Sequence, residues 1–338
     1  MFFQCPNCKK SWSYLIEKCP ECFSSLVRIK SEKAKVIEVA KVQIPSFFHS
    51  KVPYSVLVLE DEKGNRWIQK SIKEYKVGDE IEFEKSEDKN AVAIWRIKYD
   101  FLETIQKLIE FLGGRKIIEV SKILILPTLV SAAHPYFREN TSPEFLEAVL
   151  KFLFENGIKP ENVKIASQSF DEIDVGLKAQ KSKLLKVCQE NKVSPLNLRE
   201  TDFTKKGDLE ISKEALESDL ILNLPILKIG KAGACENLFY LLKKENFLAQ
   251  KYLFSEKEIF EKLKENLPEC LTIAEGNHIR DEKRLTHYLN LAFASFSPQN
   301  LDRIFFEIVK QKELPEILKD VKLESIPILG REIEEVRV

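Results

Sequence analysis

What this sequence lacks closes off several classes of function. It has no excess of charge, since 53 Lys and Arg are matched by 53 Asp and Glu among 338 residues. The basic face that marks a nucleic-acid partner is therefore not expected. It has no long apolar run free of charge. The best stretch, "KIIEVSKILILPTLVSAA", is broken by Glu119, Lys122 and Pro127 and is too short to span a bilayer. The opening "MFFQCP" has no basic segment leading into an apolar one, so a signal peptide is not expected. The histidines His49, His134, His278 and His287 show no H-x-x-H or H-E-x-x-H spacing, which argues against a histidine metal site. No Gly-Lys-Ser/Thr ending completes a phosphate-binding Walker loop. Seven cysteines, four clustered and three scattered, suit a reducing cytoplasm better than a disulfide scaffold.

What is present begins with "CPNCKKSWSYLIEKCPEC". Cys5, Cys8, Cys19 and Cys22 form C-x2-C-x10-C-x2-C. Each hook can aim two thiolates at one centre, and two hooks complete a tetrahedron. Pro6 and Pro20 stiffen the turns, and Lys9, Lys10 and Lys18 are placed to offset the negative charge. Zn(2+) is the expected metal. Four sulfurs also bind iron, as in rubredoxins, and softness alone does not separate the two. Aromatic packing around the short loop is limited to Trp12, Tyr14 and Phe23. With four thiolates the coordination is complete, so the metal is expected to build structure rather than to meet a substrate.

The segments "KVIEVAKVQI", "YSVLVLED", "RWIQKSI", "DEIEFEK" and "AVAIWRIKY" follow, separated by Pro53, "EKGN" and "KVGD". Five strands in a short span suggest a small closed barrel, an oligonucleotide/oligosaccharide-binding (OB) fold. The expected organisation is a zinc ribbon over 1–28, a barrel over 29–100 and an α/β domain over 101–338, in keeping with a chain too long for one core. The two Cys-Pro-x-Cys hooks, "VPYSVLVLEDEKGNRW" and "YKVGDEIEF" together resemble the domain-of-unknown-function family 35 over residues 5–98. That resemblance implies a non-catalytic subunit docking on thiolase-type acyl-CoA enzymes. The sequence departs from the family pattern in placing only four residues before Cys5, where the family carries a helix.

From residue 101 helices and short apolar strands alternate. "DFLETIQKLIEFLGG" is helical, ended by Gly113-Gly114. "KILILP", "VKIAS", "DLILNLP", "CLTIAEG" and "LNLAFASFS" read as strands. Ser142-Pro143 and Ser297-Pro298 read as helix starts, and Ser255 with Glu258 as a capping box. The alternation predicts a mostly parallel sheet covered on both faces, Rossmann-like, with ligands beyond the carboxyl ends of its strands.

Polar residues gather at those ends. "KIGKAGACENLF" offers Lys228, Gly230, Lys231 and Gly233 before a helix start, a pattern that can hold an anion or can be a strand–helix turn with solvated lysines. Thr141 and Asn237 join these as ligand-binding candidates for an anionic small molecule. Cys235 near the helix start is a candidate nucleophile. His134 is the foremost acid–base candidate, with His278 next and Glu275 beside it. Cys188 and Cys270 read as inert core, and His49 and His287 as surface or packing residues. Thr141-Ser142-Pro143-Glu144, Pro225, Leu227, Lys228, Asn237-Leu238 and Gly276 stand in register with the uncharacterised domain-of-unknown-function family 362 over most of 117–310. The sequence departs from that family at Leu126-Pro127-Thr128, Ile229-Gly230, Glu236 and Glu275. Some members carry ferredoxin cysteine runs linked to iron–sulfur or deazaflavin redox work. No C-x2-C-x2-C run occurs here.

Distinct functions follow from these readings. The first is a non-catalytic scaffold or accessory protein with an anion-binding crevice. The second is an enzyme acting on a carboxylate or phosphate substrate, with His134, Lys228, Cys235 and Glu275 as candidates. A rubredoxin-like redox protein is a further alternative. A nucleic-acid role is ranked last, because Trp67 and Trp95 fit core positions better than a stacking platform.

Overall fold

The computed structural model describes residues 2–12, 16, 18–29, 33–44, 52–71, 73–82, 88–98, 100–113, 120–280 and 285–337. Tyr14, His49, Gly114 and Glu119 lie outside them. The chain divides into two compact units, Met1–Glu84 and Lys85–Val338.

In the first unit, β1 (Phe2–Gln4) pairs antiparallel with both β2 (Ser11–Trp12) and β3 (Val27–Ile29). A four-stranded antiparallel sheet follows: β4 (Lys33–Val42), β5 (Tyr54–Asp61), β6 (Arg66–Ser71) and β7 (Glu80–Glu82), in the order β6-β5-β4-β7. Strict alternation along β5 buries Leu57 and Leu59 with Ala34 and Val36, and Trp67, Tyr75 and Ile81 close over them. Trp67 is thus part of this small core.

The second unit begins with the strand β8 (Val92–Arg96). It differs from expectation: instead of closing the small barrel, it pairs with strands of the large sheet. Ala91 to Ile94 are all fully buried. A strand apolar on both faces suits a sheet covered on both sides, whereas a small barrel strand turns alternate residues to water. The helix α1 (Phe101–Phe111) starts on Asp100, whose carboxylate accepts the Glu103 N–H, and ends at Gly113 with φ +86°.

The strands β9 (Ile123–Pro127), β10 (Val163–Ser167) and β11 (Pro195–Asn197) follow, with helices α2 (Pro143–Glu155), α3 (Val175–Lys181) and α4 (Leu184–Glu190) between them. A two-stranded ribbon, β12 (Phe203–Lys206) and β13 (Leu209–Ser212), leads to α5 (Lys213–Leu216). Then come β14 (Leu220–Leu224), β15 (Ile226–Lys228), α6 (Gly233–Leu238), α7 (Lys244–Gln250) and α8 (Glu256–Asn266). The chain closes with β16 (Glu269–Arg280), β17 (Thr286–Ser295), α9 (Pro298–Ile308), β18 (Ile328–Gly330) and α10 (Ile333–Val336).

The sheet order is β11-β10-β9-β14-β16-β17-β8-β18, with β15 also on β16. Only the β16–β17 and β17–β8 pairings are antiparallel, so the mostly parallel α/β class holds. The central strands feed both cores: in β9, Ile123 and Ile125 face the α1–α2 layer, and Leu124 and Leu126 face the α8–α9 layer. Ser142, Ser255 and Ser297 all cap their helices, Ser255 in a full capping box with Glu258. Among the described residues no helix is long and apolar enough to cross a membrane.

Candidate functional site

The two cysteine hooks fold as near copies of each other. The Cys5 N–H donates to Lys10 O and the Cys19 N–H to Ser24 O, both at 2.9 Å; the Lys9 and Phe23 N–H groups return to the carbonyls of Cys5 and Cys19 at the same distance. Lys9 (φ +59°) and Phe23 (φ +57°) adopt the left-handed conformation that turns each hook back on itself. All four sulfurs consequently lie within 4.8 Å of one another. Cys5 and Cys22 sulfurs are 3.4 Å apart, and those of Cys8 and Cys19 are 4.0 Å apart. The Cys8 N–H points at Cys5 Sγ at 3.3 Å. Cys5 and Cys19 are buried, with Cys8 and Cys22 nearer the surface.

As free thiols the four are unequal. Hydrogen bonding to Cys22, with desolvation, pushes Cys8 up to about 12, and hydrogen bonding to Ser24 draws Cys22 down to about 6. Four thiolates this close repel one another, and a divalent cation at their centre removes that repulsion. The donor set therefore fits a tetrahedral metal ion. Lys10 pairs with Glu21, while Lys9 and Lys18 are exposed.

In the α/β unit, the segment read as an anion loop is a strand–helix turn whose helix start already has an acceptor within the protein. Lys228 ends β15, Gly230 turns at φ +86°, and Gly233 opens α6. A Cβ on Gly233 would stand 2.4 Å from the Ile226 carbonyl oxygen, so this glycine permits close contact between helix start and strand. The Ala234 and Cys235 N–H groups donate to the two carboxylate oxygens of Asp302, each at 3.0 Å. Asp302 is fully buried on α9, and burial pushes its pKa up to about 7 against the pull of those N–H groups. The acceptor at this helix start is the protein's own carboxyl group.

Cys235 corrects the nucleophile reading. Its side chain is fully buried, and burial together with neighbouring Asp302 raises its pKa well above the ordinary thiol value. It has neither the access nor the ionisation that a nucleophile needs. Cys188 is buried, which pushes it up to about 11, and Cys270, partly buried against the core, is pushed up to about 12 by desolvation.

Thr141 and Asn237 spend their hydrogen bonds on the fold. Thr141 Oγ1 donates to Leu224 O at 2.7 Å and accepts the Thr128 N–H at 2.8 Å. Asn237 accepts from the Thr128 hydroxyl at 2.8 Å and donates to Leu126 O and Asn223 Oδ1. Together they tie the ends of β9 and β14 to α6. His134 is exposed and caps the short turn Pro135–Phe137, its Nδ1 accepting the Tyr136 N–H at 3.2 Å. Lys228 is half-buried and Lys231 exposed.

A different grouping forms at the carboxyl end of β16. The Ser142 hydroxyl, at the start of α2, donates to Glu275 Oε2 at 2.5 Å. Desolvation raises the Glu275 pKa, while Ser142 and the charge of Arg138 work the other way. Desolvation, and after it the charge of Arg138 in its left-handed turn (φ +53°), lower the pKa of His278, whose ring stands edge-on to Tyr288 at 5.0 Å. The tertiary structure thus brings Glu275 and His278 together with Ser142 and Arg138, and leaves His134 and Cys235 in other roles. The side chain of Arg280 lies outside the described residues.

Two buried groups escaped the sequence reading. Asp302 had one signal, a carboxylate on the apolar stripe of "PQNLDRIFFEIVKQ". Lys178 had none. It is 1% exposed and donates to Val130 O (2.9 Å), Ser169 Oγ (2.8 Å) and Asp171 Oδ2 (2.9 Å), holding Asp171 down to about 2 against desolvation.

Residues 123–236 match the family model described as a domain of unknown function, DUF362, as the α/β motifs led us to expect. No curated protein matches the sequence. Among solved structures, one described as an "Ltp2-ChsH2(DUF35) aldolase" is similar at 19% identity and a TM-score of 0.21, covering 25% of this chain and 70% of that chain.

Proposed function

We propose that this protein is a zinc-binding, non-catalytic accessory or scaffold protein. The observation that carries the reading is the convergence of Cys5, Cys8, Cys19 and Cys22, whose sulfurs lie within 4.8 Å. A zinc ion held there cross-links two hooks that the small first unit cannot otherwise fix, and its four positions are filled by protein. The matched segment 123–236 supports the same reading. Its helix start is occupied by Asp302, its cysteine is buried, and Thr141 and Asn237 are engaged in the fold. The partner proposed is a thiolase-type acyl-CoA enzyme, on the strength of the motifs in residues 5–98 that resemble family 35.

A second reading, an enzyme acting on a carboxylate or phosphate substrate, is favoured by one observation. Glu275 is desolvated, which raises its pKa, while the Ser142 hydroxyl it accepts from and the charge of Arg138 work the other way, so a buried carboxyl and a guanidinium act on each other. Lys228 and His278 would border that site.

Elemental analysis and an absorption spectrum of protein purified without air test the metal assignment. One zinc per chain without colour is the expected result. One iron with a red chromophore would replace it with a rubredoxin-like redox protein.

A further inference from the structure

The Ser142 hydroxyl accepts the Phe145 N–H at 3.3 Å and donates to Glu275 Oε2 at 2.5 Å. A hydroxyl has a single hydrogen to give, and this one goes to the carboxyl. Ser142 also acts on Glu275 through its backbone N–H. The contact therefore depends on where the chain at 141–142 is held. We propose that Thr128 and Thr141 form a positioning clasp that sets Ser142 against Glu275. The proposal rests on the second reading above, in which Glu275 is the working carboxyl.

The hydrogen bonds of the two threonines carry the inference. The Thr141 N–H donates to Thr128 O at 2.9 Å, and the Thr128 N–H returns to Thr141 Oγ1 at 2.8 Å. This double link joins the end of β9 to the residue before Ser142. Thr141 Oγ1 donates in turn to Leu224 O at 2.7 Å, fixing the joint to the end of β14.

The Thr128 hydroxyl works on the other side. It accepts the Ile226 N–H at 3.1 Å and donates to Asn237 Oδ1 at 2.8 Å. Ile226 stands opposite Glu275 in the β15–β16 pairing. One clasp thus governs both partners: Ser142 follows Thr141 along the chain, and Glu275 lies across the sheet from the residue that Thr128 holds. Both threonines are buried. A valine at 128 keeps the shape but takes this partner from the Ile226 N–H and Asn237 Oδ1, and a valine at 141 removes the tie to Leu224.

Carboxyl-carbon NMR titration of the full chain as purified, with the Glu275 signal assigned from the Glu275→Gln spectrum, tests the clasp. Desolvation raises the Glu275 pKa, and the charge of Glu144 adds to it; the Ser142 hydroxyl, the charge of Arg138 and the Ser142 N–H oppose it. No substitution below alters Arg138 or Glu144, so a loosened Ser142 reads as a Glu275 midpoint above the parent's. Ser142→Gly removes the hydroxyl, keeps a tolerated N-cap residue and should give a clear rise. Thr141→Val and Thr128→Val should each give a rise of the same sign. Thr141→Ser, which keeps the hydroxyl, should titrate like the parent.

Thr272→Val is the comparison. Thr272 Oγ1 accepts from Asn223 at 3.2 Å in the same buried network but bonds to neither threonine, so this variant should lose stability and leave the Glu275 midpoint in place. Circular dichroism checks folding, and either valine variant reads the clasp from its own half should the other not fold. Midpoints equal to the parent's in the folded valine variants, or in Ser142→Gly, would overturn the proposal. So would a rise in Thr272→Val as large as theirs, which marks general loosening. The titration contains no substrate. A chain that turns over no carboxylate or phosphate compound would therefore end the second reading without moving these midpoints, whereas unmoved midpoints end the clasp alone.

Discussion

Asp302 Oδ2 accepts the backbone N–H of Cys235 at 3.0 Å, across 67 residues of chain. With Oδ1 on the Ala234 N–H, the carboxylate of α9 takes the place that an external anion would occupy at the start of α6.

Replacing Asp302 by Ala should therefore cost about 2–4 kcal/mol, because two buried N–H groups lose their acceptor. Urea denaturation measures it. The pH dependence has a defined sign. The folded pKa of about 7 lies above the ordinary carboxylate value of 3.8, so the folded state holds the proton more tightly than the unfolded one. This group's contribution is full below about pH 4 and is lost as pH rises towards 7. Asp302→Asn should flatten that limb of the stability profile. An unchanged profile would show that Asp302 does not titrate in that window.

The Lys178–Asp171 pair has the opposite sign. Asp171 is held down to about 2, below its ordinary 3.8, so its contribution is present above about pH 4 and disappears as pH falls through 2. Lys178→Met removes a buried ammonium with three acceptors. It should shrink the acid limb and lower the midpoint of thermal unfolding by several degrees, about 1–3 kcal/mol. Asp171 is 47% exposed, which keeps the cost below that of a fully buried pair.

Gly233→Ala places a methyl 2.4 Å from the Ile226 carbonyl oxygen. Backbone stands on both sides of this contact, so no side chain can swing away. Destabilisation of about 1–3 kcal/mol is expected, with a thermal midpoint equal to that of the parent as the contrary result.

Removal of the metal should unfold the first unit and spare the second. Structural zinc contributes on the order of 10 kcal/mol to such modules, and the small core of Ala34, Val36, Leu57 and Leu59 cannot replace it. Chelation, or Cys19→Ser, should expose 1–84 to protease while the fragment from about residue 85 persists on a gel. Digestion of both units together would contradict the independence of the second core.

Much of this protein was written locally. The hooks are four residues wide, and their conformation follows from Cys-Pro-x-Cys turns that need no distant partner. The caps at Ser142, Ser255 and Ser297 likewise bond within three residues of themselves. Runs such as "ILILP", apolar on both faces, announced a covered parallel sheet.

What only the tertiary structure decided is long-range pairing. Nothing around "AVAIWRIKY" says which sheet it joins; the choice rests on β17 and β18, nearly two hundred residues or more away in sequence. The glycine–lysine turn at 228–233 read as an anion site because the helix start was visible and the carboxylate that fills it was not. Local chemistry names the groups that need a partner, and packing chooses which distant group supplies it. For that reason the convergence of the four cysteines was legible from spacing alone, while the surroundings of Cys235, Glu275 and Asp302 emerged only when the strand ends were brought together.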